Sequence, residues 1–80
     1  MNIHITFPDG KTAIFKINTR EVKSVEDIVD VIVDEMYRRQ VKAGVSIKDP
    51  EKWKNAHKRW LRPRVVSALL EELGAVREFG

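Results

Sequence analysis

His4 and His57 are the side chains of this sequence best suited to moving a proton at neutral pH, and neither has a partner at motif spacing. His4 falls in a predicted strand. His57 falls on the aromatic stripe of a predicted helix, where a packed or hydrogen-bonded histidine is the commoner case. Asp27, Asp30 and Asp34 offer hard oxygen ligands. The spacing of a calcium loop is absent, however, and a helix turns few oxygens toward one point, so they read as a solvated face. Gly10, Gly44, Gly74 and Gly80 stand alone, which leaves no phosphate-cradling loop. With no cysteine there is no thiolate nucleophile, thiolate metal site or disulfide framework. The sequence predicts no catalytic set, no cofactor and no metal site, hence not an enzyme.

What remains is charge. The net value of +3 conceals a segregation. Residues 1–35 hold four cations against seven carboxylates, a net −3; residues 36–64 hold ten against two, a net +8; residues 65–80 hold one against three, a net −2. Lys52, Lys54, Lys58, Arg59, Arg62 and Arg64 form the predicted contact face, with Arg38, Arg39 and Lys42 as its extension. Such a face suits either phosphates or an acidic protein surface. Trp53 and Trp60 could stack bases only if exposed, and their spacing assigns them to the core.

The elements that position these residues follow from periodicity. Ile3, Ile5 and Phe7 alternate with polar neighbours, Pro8-Asp9-Gly10 interrupts, and Ala13, Phe15 and Ile17 alternate again. Proline presets the first turn position and glycine can take the left-handed one, as a three-residue bulged hairpin loop requires. That loop sets Phe7 opposite Lys11, Ile5 opposite Ala13, Ile3 opposite Phe15 and Met1 opposite Ile17. Strands are predicted at about 2–7 and 11–17. Ser24 with Asp27 is a capping signature, and Val25, Ile28, Val29, Ile32 and Met36 repeat at helical spacing, predicting a helix at about 25–41 ended by Gly44. Val31 and Val33 fall off that stripe, which either buries this helix on two sides or leaves 30–34 open to strand, and with Tyr37 they offer a surface for homodimerisation. Asp49-Pro50 begins a second helix at about 50–61, and Pro63 is expected to break it and restart a third at about 64–73. A short third strand is expected at 75–79. The fold class is α+β, one small domain over 1–80, with Trp53, Trp60, Leu69 and Leu73 joining the hairpin and first-helix residues in the core.

The run Ile5-Thr6-Phe7-Pro8-Asp9-Gly10-Lys11 resembles the opening of TGS domains, ubiquitin-like modules found on some tRNA synthetases and GTPases. The resemblance stops at the hairpin: those domains continue with a short helix and further strands, whereas long helical patterns follow here. It implies shared turn chemistry and carries no function across. A helix-turn-helix reader is disfavoured, because the predicted third helix exposes Glu71 and Glu72 toward phosphates. No span reaches membrane length, and Met1 to Phe7 lack the pattern of a signal peptide, so a cytoplasmic setting without membrane contact is expected. The reading is a small regulatory binding module, an adaptor or inhibitor of the kind phages and mobile elements encode. Its partner would be a larger protein, or alternatively a nucleic-acid backbone, met through the basic face. The bland competitor is that these cations serve solubility and pair with the acidic first helix.

Overall fold

The computed structural model describes residues 1–72. β1 (Asn2–Thr6) and β2 (Thr12–Lys16) form an antiparallel hairpin, followed by α1 (Val25–Lys42) and α2 (Pro50–Glu72). The fold is therefore α+β, with a two-stranded ribbon laid against two helices. The hairpin register is the expected one, with Ile3 opposite Phe15 and Ile5 opposite Ala13. Its loop closes with the Phe7 N–H donating to the Lys11 carbonyl at 2.7 Å and the Gly10 N–H to the Phe7 carbonyl at 2.9 Å. Gly10 sits at φ 87°, a conformation that costs other residues strain.

Ser24 caps α1 by accepting the Asp27 N–H at 3.2 Å, and Asp27 in turn accepts the Lys23 N–H at 2.9 Å. At the other end the Gly44 N–H donates to Val41 and the Val45 N–H to Gln40, with Gly44 at φ 89°, the paired bonds of a left-handed helix terminus. Asp49 opens α2 by accepting the Lys52 N–H at 3.1 Å.

Residues 30–34 are helical throughout, within the helix expected at about 25–41, while two other expectations need correction. Val33 is fully buried because α1 is covered by the sheet on one side and by α2 on another, which widens its apolar stripe beyond one face. The predicted break at Pro63 does not occur: α2 runs through it. Leu61, Arg62, Pro63 and Arg64 contain neither a helix-stopping glycine nor a capping side chain to start a new helix. Leu61 and Val65, one turn apart, stay buried on the same side. Pro63 itself is exposed, so the carbonyl of Arg59 that loses its helical donor can turn to water. Second, Trp53 and Trp60 are half-buried around the core rather than within it. The predicted strand at 75–79 and the core position Leu73 lie outside the described residues.

The core itself joins Ile3, Ile5, Phe15 and Ile17 from the hairpin to Ile28, Val29, Ile32, Val33 and Met36 of α1 and to Leu61 and Val65 of α2. Among the described residues no helix is long and apolar enough to cross a membrane.

Candidate functional site

The cations of the middle segment divide among three directions. Lys54, Lys58 and Arg62 point at α1, where their nitrogens meet Asp34 at 3.1 Å, Asp30 at 2.9 Å and Glu26 at 2.7 Å. Each step forward of four residues on α1 is a step back of four on α2, so one turn of each antiparallel helix supplies each rung of a ladder. Helical spacing dictates this: positions four apart share a face on both helices. The acidic face of α1 and half of the basic face of α2 are thus each other's partners. The carboxylates and Arg62 are exposed and the two lysines half-buried, so each pair contributes about 0.2–1 kcal/mol.

The hydrogen bond that Lys58 donates to Asp30 holds its ammonium above the ordinary lysine range. A raised folded value means that its stabilisation is complete below that range and is lost as pH climbs through it. On the other side of α1, Glu35 accepts from Arg38 and Arg39, and the Arg38 bond foremost holds its carboxyl below the usual range. That contribution is present above the carboxylate range and lost as pH falls through the lowered value. Melting temperature should accordingly be flat from about pH 5 to 9 and sag only slightly beyond each end on account of these pairs. Lys58→Met should remove part of the alkaline sag and leave the acid one. An alkaline profile unchanged by Lys58→Met would show that the rung at Asp30 contributes nothing.

Arg64 turns toward the hairpin, donating from Nη1 to the Thr6 carbonyl at 2.6 Å, with its guanidinium 5.6 Å from the Trp60 ring centre. Arg39 lies 4.7 Å over Phe15. Lys42 is exposed in the last turn of α1, where it suits the negative end of the helix.

Lys52 and Arg59 are what remains of the predicted face. Both are exposed on the outer flank of α2, and neither has a carboxylate partner among the described residues; the same holds for Lys48 in the connection before the helix. Lys48, Asp49 and Lys52 border a recess of about 390 Å³ whose apolar lining comes from Val45, Ile47, Trp53 and Ala56. Val45, at 45% exposed, is one of the large apolar side chains left in water.

Trp53 is also part of a continuous aromatic row. It stacks on His57 at 3.9 Å between ring centres and meets Tyr37 edge-on at 5.8 Å. His57 meets Trp60 at 5.9 Å, and Trp60 meets Phe7 of the hairpin at 5.7 Å. The imidazole Nδ1 lies 2.8 Å from the Trp53 carbonyl. His57 is therefore a hydrogen-bonded packing residue, and His4 stands exposed on the outer face of the ribbon opposite Ile14. Sequence reasoning missed the recess, since Val45 and Ile47 lie in a connection without periodicity. Pairing of the cations with the acidic first helix was the competing expectation, and it holds for Lys54, Lys58 and Arg62; the residue-by-residue rungs were visible only in the four-residue spacing of Glu26, Asp30 and Asp34.

The chain matches no family model, no curated protein and no solved structure. What the site does must be judged from its own geometry.

Proposed function

We propose that this chain is a small non-catalytic binding module, an adaptor or inhibitor, that docks on an acidic surface of a larger protein through the outer flank of α2. The recess carries this reading: apolar Val45, Ile47, Trp53 and Ala56 bordered by two cations without carboxylate partners among the described residues, Lys48 and Lys52, which outnumber the one carboxylate there, Asp49. Protein interfaces have that anatomy, an apolar centre that excludes water within a polar rim, with tryptophan and arginine prominent among the residues that dominate affinity. Lys48, Lys52 and Arg59 would steer an acidic partner and fix its orientation. A nucleic-acid backbone is served less well. Lys54, Lys58 and Arg62 already face carboxylates, so few free cations remain to displace counterions from phosphates.

Capture from the native host at moderate salt should return one stoichiometric partner with an acidic contact surface. The double reversal Lys52→Glu with Arg59→Glu should weaken that complex by about 10-fold or more, and Trp53→Ala by a similar factor. Undiminished capture by both variants would sink the reading. So would binding of random-sequence DNA or RNA at low salt that falls steeply as salt rises.

A further inference from the structure

On the far side of the Trp53–His57 stack lies a second, larger groove of about 510 Å³, between the hairpin loop and the two helices. Its volume is in the range of small-ligand sites. Phe7, Trp60 and His57 line it, all half-buried and so open to solvent on one side. Phe7 and Trp60 meet at 74° and Trp60 and His57 at 63°, so the walls form corners rather than one flat stack. A flat cation lying on one wall of such a corner directs its edges at the next.

Donors and acceptors both line the groove, and two of the acceptors, on His57 and Asp9, have no cation beside them in an ion pair among the described residues. The Trp53 carbonyl can only accept, so the hydrogen between it and His57 sits on Nδ1. In the neutral ring this leaves Nε2 as an acceptor with no partner among the described residues. Asp9 stands at the rim on the hairpin loop; its Oδ1 accepts the Lys11 N–H at 3.0 Å, and its other oxygen is unengaged among the described residues. Gln40 adds an amide oxygen. The fold already places guanidinium groups over two of its own rings, Arg39 over Phe15 and Arg64 over Trp60.

From aromatic corners, a ring acceptor and a carboxylate we infer that the hairpin-loop groove receives the guanidinium of an arginine side chain presented by a peptide segment. Guanidinium is planar, weakly hydrated and rich in edge N–H donors, so it can lie on a ring and donate outward to His57 Nε2 and Asp9 together. An ammonium, compact and strongly hydrated, uses the same walls less well. Lys11, which also lines the groove, opposes any cation and sets an upper limit on affinity. The inference stands on this groove alone and does not require the recess on the other side of Trp53.

An NMR titration with two blocked tripeptides, acetyl-Gly-Arg-Gly-amide and its citrulline counterpart, tests it directly. The arginine peptide should shift the Trp60 indole N–H and the His57 ring resonances saturably, and the neutral citrulline peptide should bind at least about threefold more weakly. His57→Phe keeps the ring and removes the acceptor. Asp9→Asn keeps the oxygen that accepts the Lys11 N–H and removes the charge. Each should weaken the arginine peptide by about 3- to 10-fold, while Lys11→Met should tighten it. Equal affinity for the two peptides overturns the inference, as do shifts confined to Trp53 and the connection before α2. Retained melting temperatures in the variants separate loss of the site from loss of the fold.

Discussion

Leu61→Ala should lower the melting temperature by about 10–25 °C. Leu61 is fully buried, and with Val65 it is one of two α2 side chains in the buried core among the described residues. Everything else that α2 contributes is half-buried or charged. Cutting a buried leucine to alanine costs about 2–5 kcal/mol, since transfer and cavity terms add. A domain of 80 residues has a total stability of about 4–12 kcal/mol, so the variant would keep α2 docked only marginally. Leu61→Met, which conserves volume, should cost less than about 1.5 kcal/mol. Thermal melts of both variants followed by circular dichroism settle the matter: a fall of less than about 4 °C for Leu61→Ala would mean that the aromatic row and the charge ladder hold α2 without it.

Pro63→Ala should act in the opposite direction and raise stability by about 1–3 kcal/mol. Proline removes one helical hydrogen bond and crowds the carbonyl four residues back, here that of Arg59. Because Pro63 is exposed, alanine would fill no space another residue needs, and it restores the missing donor. The stiffer unfolded chain that proline provides offsets part of the gain, by up to about 1 kcal/mol. A melting temperature that rises by about 4 °C or more is the expected result. A fall would show that the proline sets the course of α2 on which the Arg64 contact to Thr6 depends.

Much of this fold was legible in the sequence, and the reason lies in local chemistry. The hairpin register follows from the Pro8-Asp9-Gly10 loop and the alternation around it, because a one-residue slip would turn Ile3, Ile5, Phe15 and Ile17 outward together. Ser24 and Gly44 marked the ends of α1 because caps are read from one or two side chains. Where the signal was not local, reading failed. Val33 left two readings open, a helix buried on two sides or a strand, because the second burying surface comes from α2, distant in sequence. Pro63 looked like a break because local backbone preference said so, whereas the continuous buried pair Leu61 and Val65 and the absence of caps outweighed it. For the candidate site, composition identified the cations but could not sort them. Which of them face carboxylates, rings or solvent depends on how α2 crosses α1 and the hairpin. Of the six foremost residues only Lys52 and Arg59 stand unengaged, and Lys48, absent from that set, joins them.

The ladder between the helices has a repeat of one turn, and a repeating pattern is ambiguous about position. If α2 slid along α1 by four residues, Glu26 would meet Lys58 and Asp30 would meet Lys54, so two of the three rungs would re-form with the same chemistry. Charge here chooses which faces meet, but it is nearly degenerate toward sliding and, with all carboxylates on one helix and all cations on the other, toward direction as well. Position along the axis must come from features that do not repeat: the short Gly44 connection, the aromatic row that ends on Phe7, and the two buried residues Leu61 and Val65. Variants that blunt those features while leaving every charge in place are therefore the ones in which a second alignment of the same two helices would first become populated.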